Sequence, residues 1–236
     1  MDSHVELNKR LGAARSLREI IVISGDTSAL NLVNCCTALQ KAAKLLGAPC
    51  DSRQEAELVG IADRGADCFN GGGKGSAIGG EVTPQPRHVA AALWSCAKLR
   101  IHPSNLIDAA VQSGAAMQPG WFKPQEVSMV AWALGKLAGQ EGAHKRHHLP
   151  QPEEEVCGAT LLRKLLPSAL SRPGSFDPQG IANVISGVAS VSLAHPKVPF
   201  EPCLPRLLAA LAGRLSSFSP QELANSLSGL AKMGAR

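Results

Sequence analysis

Apolar residues along the chain fall into one recurring phrase. Its last instance reads Phe218-Ser-Pro-Gln-Glu-Leu-Ala-Asn-Ser-Leu-Ser-Gly-Leu-Ala-Lys-Met233. Earlier instances are Phe176-Asp-Pro-Gln-Gly-Ile-Ala-Asn-Val-Ile-Ser-Gly-Val-Ala-Ser-Val191 and Phe122-Lys-Pro-Gln-Glu-Val-Ser-Met-Val-Ala-Trp-Ala-Leu-Gly-Lys-Leu137. Looser ones begin at Pro86 and Leu32. Apolar positions three and four apart predict an amphipathic helix for each. The start is written into the phrase. Ser219 is placed as N-cap, Pro220 as N1 and Glu222 as N3, the spacing of a capping box. Asp177 takes the cap in its own copy. Phe218 with Leu223, Phe176 with Ile181 and Phe122 with Val127 have the spacing of a hydrophobic staple. Gly47, Gly139 and Gly234 follow three of the phrases, where helix C-caps belong.

The pivot residues of the five copies are Leu39, Leu93, Ala131, Ile185 and Leu227, separated by 54, 38, 54 and 42 residues. Two insertions account for the long intervals, at about 70–82 (rich in Gly) and about 141–155 (His144-Lys-Arg-His-His148 and a run of Glu). A second apolar helix follows each phrase, as at 104–116, 155–170 and 203–215; in the last, Leu204, Leu207, Leu208, Leu211 and Leu215 mark one face. The expected fold is all-α, an α-solenoid of about five degenerate two-helix repeats spanning residues 1–236. About ten helices are expected and no sheet, with the phrase helices (helix A) on the concave layer and their partners (helix B) on the convex one. The array is expected to run on beyond Arg236 in a longer protein.

Composition agrees. Hydrophobic residues make up 44% of the 236-residue chain but aromatic ones only 3%, which suits close helix packing. The net charge of +5 allows an anionic partner without demanding one. The seven cysteines form no Cys-x-x-Cys and read as reduced thiols, and Cys35-Cys36 as helix packing. No run of about 20 apolar residues predicts a membrane span. Met1-Asp-Ser-His-Val-Glu has neither a signal-peptide nor a transit-peptide pattern. There is no Gly-x-Ser-x-Gly, no His-Glu-x-x-His and no Gly-Lys-Ser/Thr after Lys74. The chain is therefore read as a non-enzyme with no metal site and no cofactor.

The phrase Phe-x-Pro-Gln-x-Leu-Ala-Asn-x-Leu-x-Gly-Leu-Ala-Lys-Met resembles the helix-A signature of the octotricopeptide-repeat proteins of green algae. The likeness covers most of the chain outside the insertions and is specific in copies three to five. The opening, Leu7 to Ile21 followed by Leu30 to Leu45, is similar to the way those proteins begin their arrays. The resemblance implies sequence-selective binding of single-stranded RNA in chloroplast or mitochondrion, an organellar transcript or rRNA. It also implies a role in transcript stabilisation, processing, translation or organellar ribosome structure.

Helix A advances roughly 100° per residue, which separates two faces: Leu223, Leu227, Leu230 and Gly234 are expected to be buried and Glu222, Asn225, Gly229 and Lys232 to be free. The equivalent free stripe holds Asn34, Thr37, Lys41 and Lys44, then His88, Ala91, Ser95 and Lys98, then Glu126, Met129, Ala133 and Lys136, then Gly180, Asn183, Gly187 and Ser190. The lysines would follow a phosphate backbone. Thr37, Asn183 and Asn225 would read base edges. The RNA-contacting set is thus Asn34, Thr37, Lys41, Lys44, His88, Ser95, Lys98, Lys136, Asn183, Asn225 and Lys232. A lysine in the last turn also complements the helix dipole, and the asparagines could equally bond between helices. The alternative is a protein-binding scaffold, or a subunit of an RNA-processing or ribosomal complex without direct readout.

Overall fold

A computed structural model describes residues 4–25, 29–46, 50–71, 82–144 and 157–234. Among these residues the chain is all-helical, with eleven α-helices and no strand. They are α1 (His4–Ala13), α2 (Leu17–Ile23), α3 (Leu32–Leu45), α4 (Ser52–Phe69), α5 (Pro86–Leu99), α6 (Ser104–Ala116), α7 (Pro124–His144), α8 (Gly158–Ala169), α9 (Pro178–Ala194), α10 (Leu204–Ala212) and α11 (Pro220–Lys232). The five phrases are α3, α5, α7, α9 and α11, with α4, α6, α8 and α10 between them.

Local capping fixes the helix starts. Ser219 Oγ accepts the Glu222 amide, and Glu222 returns to the Ser219 amide at 2.8 Å. Asp177 Oδ1 accepts the Gly180 amide at 2.6 Å. The ends are less regular. Gly234 adopts φ +74° just past α11, as a C-terminal glycine should. Gly139 does not end its helix: α7 runs on to His144, into the stretch read as an insertion. A helix tolerates an interior glycine at a cost of about 1 kcal/mol. Gly47, residues 72–81 of the first insertion and residues 145–156 of the second lie outside the described residues.

By its contacts the chain divides into two compact units, Met1–Gly114 and Ala115–Arg236. In the first, α3 packs against α1, α2, α4 and α5. Leu11, Ile20, Leu39, Leu58, Leu93 and Leu106 are among its fully buried side chains. Arg64 Nε, near the end of α4, donates to the Leu30 carbonyl just before α3 at 2.9 Å.

In the second unit α7, α9 and α11 lie side by side, with α8 against α7 and α10 against α9. The phrase helices meet through glycine. A Cβ on Gly187 would stand 2.1 Å from the Ala131 carbonyl oxygen, and one on Gly229 would stand 3.2 Å from the Ile185 carbonyl oxygen. In both seams the glycine lies two residues after its own pivot and sits on the pivot of the preceding copy. The three helices are therefore stacked in one register. Arg214 holds the turn that feeds α9, donating to the carbonyls of Phe176 and Gly174.

The helix-B faces are narrower than the leucine pattern predicts. Leu207 and Leu211 are buried in α10, whereas Leu208 and Leu215 are exposed. In α11, Leu227 is 59% exposed although Ile185 and Leu93 at the same register are fully buried. Ala131 and Ile185 are covered by the next phrase helix, through Gly187 and Gly229, and no described residue covers Leu227 in that way.

Candidate nucleic-acid interface

In the second unit α9 has the phrase helices α7 and α11 on two sides and α10 on a third, and nine of its seventeen residues are buried. The free surface is thus one narrow edge rather than half the circumference, and this rearranges the predicted stripe.

Its first position is occupied by capping. Asn34 accepts from the Asn31 amide at 3.3 Å and donates to the His4 carbonyl at 3.0 Å. His88 Nδ1 accepts from the Gln85 amide at 3.2 Å. Glu126 and Glu222 do the same for Lys123 and Ser219, each at 2.8 Å. Asn34 and His88 are buried. Burial first, and then the Arg87 guanidinium, bring the His88 pKa down to about 4, so the ring is neutral at pH 7. Both ring nitrogens face donors, the Gln85 amide at Nδ1 and Arg87 Nε 3.3 Å from Nε2, which also disfavours a charged ring.

The third position of the stripe forms the seam. Ser95, Ala133, Gly187 and Gly229 are all buried there, and Ser95 Oγ donates to the Ala91 carbonyl at 2.7 Å. Only small residues fit where two helix backbones approach. Of the RNA-contacting set, Asn34, His88 and Ser95 are therefore enclosed and already hydrogen-bonded within the fold. Lys41 is half-buried at the seam position of α3.

The other two positions of the stripe reach solvent, except at Ala91, which is buried. Lys44, Lys98, Lys136 and Lys232 are exposed in the last turns or outer edges of α3, α5, α7 and α11, and Asn225 is exposed. Thr37 and Asn183 are half-buried. Two positions that the sequence reading left off the stripe complete the free edge. One carries Arg87, Gln125, Gln179 and Gln221, all exposed; the other carries Trp94, Trp132 and Ser186, half-buried, and Ser228, exposed. The constant Pro-Gln of copies three to five was the available signal, because a glutamine that keeps recurring at N2 caps nothing.

In the second unit the shared register brings Gln125, Met129, Trp132 and Lys136 of α7 beside Gln179, Asn183, Ser186 and Ser190 of α9. Gln221, Asn225, Ser228 and Lys232 of α11 come next. Lys136 Nζ stands 5.8 Å from the centre of the Trp132 ring, at the outer range of a cation–π contact. In the first unit α3 brings Thr37 and Lys44 beside Lys98 of the adjacent α5. The helix-B side of that unit has the opposite sign: Asp63, Asp67 and Asp108 line a groove with Asn70, Asn105 and Gln112 on α4 and α6. A polyanion is thus repelled from the helix-B side and attracted to the helix-A edge.

No protein-family model matches the chain, and no curated protein matches it in sequence. Among the described residues, no group of three or more His, Cys, Asp or Glu could hold a metal ion. No described helix is long and apolar enough to cross a membrane.

Proposed function

We propose that the chain binds single-stranded RNA along the free edges of its phrase helices, each unit being a short stretch of α-solenoid. One observation carries this reading: a lysine recurs at the same register position in four of five phrases and is exposed in all four. The resemblance to octotricopeptide-repeat proteins supports the choice of RNA, and of a transcript or rRNA of chloroplast or mitochondrion as the target.

Lys44, Lys98, Lys136 and Lys232 contact phosphates, with Arg87 beside them on α5. Asn183, Asn225 and Thr37 face bases, helped by Gln125, Gln179 and Gln221. Adjacent helices lie roughly 8–10 Å apart, so successive nucleotides can meet successive helices. Asn34, His88 and Ser95 have no part in it, being buried.

The test is a salt titration with single-stranded RNA pools, comparing wild type with the combined Lys98→Ala, Lys136→Ala and Lys232→Ala variant. Three phosphate contacts removed should lower the slope of log affinity against log salt by about 2. Asn225→Ala should leave that slope alone and change the preferred base at one position. Equal affinity and slope for wild type and the triple variant would make the lysines dipole-complementing residues, and a protein-binding scaffold would become the better reading.

A further inference from the structure

The Leu30 carbonyl just before α3 accepts from Arg64 in the next-to-last turn of α4, so α3 and α4 run antiparallel with this end open. Cys35 lies in the first turns of α3 and Cys68 in the last turn of α4. Cys68 Sγ lies 3.9 Å from the same Leu30 carbonyl. One turn earlier on the same face of α4 is Gly65, whose missing Cβ would stand 3.6 Å from Cys35 Cβ. Gly65 thus lets the helices close at this point, with Cys35 and Cys68 near enough for each thiol to act on the other.

The partners differ in access. Cys35 is 1% exposed, while Cys68 is only half-buried. The hydrogen bond from Cys35 and the Arg64 guanidinium pull the Cys68 thiol down to about 7, against its own burial and the Asp67 carboxylate. The same hydrogen bond, together with burial, pushes Cys35 up. At neutral pH the reactive sulfur is therefore the one nearer solvent, with a protonated thiol behind it. Cys36 and Cys96 are pushed up to about 12 by burial and stay inert.

We propose that Cys68 and Cys35 are an oxidisable pair: a hydroperoxide oxidises Cys68, and Cys35 then closes a disulfide that ties α3 to α4. The Cys68 thiolate attacks a peroxide oxygen. An S–O bond forms, the O–O bond breaks, and the leaving oxygen takes the electron pair and a proton to depart as water or alcohol. The Cys35 sulfur then attacks the Cys68 sulfur of the resulting sulfenic acid. The S–S bond forms, the S–O bond breaks, and hydroxide leaves with the Cys35 proton as water. The two thiols give up two electrons and two protons, and the peroxide is reduced.

The experiment exposes the full chain to a fewfold molar excess of hydrogen peroxide, alkylates it and digests it with trypsin without reductant. The expected product joins residues 19–41 to residues 65–74, about 2 Da lighter than the two peptides together. It persists in Cys36→Ser and disappears in Cys35→Ser, where a dimedone adduct accumulates on Cys68 instead. The disulfide closes a loop of about 30 residues and should raise Tm by on the order of 10 °C, reversed by dithiothreitol. A wild-type Cys68 that goes to sulfinic acid with no joined peptide overturns the proposal. So does a joined peptide that survives Cys35→Ser. If a variant fails to fold, fragmentation of the wild-type joined peptide between Cys35 and Cys36 decides the bonded sulfur, and a bond to Cys36 overturns the proposal.

Discussion

Gly187→Ala places a methyl 2.1 Å from the Ala131 carbonyl oxygen, 2.4 Å from its carbon and 3.0 Å from the Trp132 nitrogen. Carbon and carbonyl oxygen normally rest about 3.3 Å apart. Every atom the methyl meets is backbone, so no side chain can turn aside and α9 must move off α7 by roughly 1 Å. A gap of that size forfeits about a quarter to a half of each dispersion contact across the seam. Val130 of α7 and Val184 and Val188 of α9 are buried on the two helices that part. Overpacking costs typically 1–3 kcal/mol and sometimes more. With two backbones forced apart, we expect a loss of about 3–4 kcal/mol, even after the gain of about 0.5–1 kcal/mol from replacing a helical glycine.

The same substitution at Gly139, also inside a helix but with nothing within 4 Å of its Cβ, should stabilise by about 0.5–1 kcal/mol. Gly229→Ala falls between, because its nearest neighbour is the Ile185 Cγ2 at 2.9 Å, a side-chain atom able to give. Guanidinium unfolding in a Trp94→Phe background reads the second unit alone, since Trp121 and Trp132 both belong to it. A Gly187→Ala protein that unfolds at or above the wild-type midpoint would refute the seam.

Three further outcomes are expected. His88 has a folded pKa of about 4, lowered by burial and then by Arg87, against about 6.5 when unfolded. The unfolded chain therefore binds the extra proton between these values, so stability is full above about pH 6.5 and falls as the pH drops toward 4. The loss should be on the order of 1–2 kcal/mol after solvent screening, and His88→Asn should flatten that part of the stability–pH curve. Ile185→Ala should cost about 2–5 kcal/mol and Leu227→Ala under about 1 kcal/mol in the same denaturation assay, although the two share a register position. Glu222→Ala frees the Ser219 amide and should cost about 0.5–1 kcal/mol, read as faster amide exchange confined to the first turn of α11.

The helix starts were legible in the sequence because capping is local. Ser219 with Glu222, and Asp177 with the Gly180 amide, complete their bonds within four residues whatever surrounds them. The bounds of α6, Ser104–Ala116, agree with the apolar pattern. What periodicity could not supply was how much of each helix is covered. A moment calculated for one helix divides it into two faces, whereas a helix between two others and a third behind it keeps a single free edge. Hence Gly187, Gly229 and Ser95 became seam, and Asn34 and His88 became buried capping groups. Lys98, Lys136, Asn225 and Lys232 stayed in solvent. Leu227 shows the converse, since its burial depends on a neighbouring helix rather than on its own spacing. Cys35 and Cys68 are more than thirty residues apart and belong to no motif. Only the close approach of α3 and α4 at Gly65 brings the two residues near each other, because contact between helices depends on the absence of atoms at one position as much as on the residues that meet.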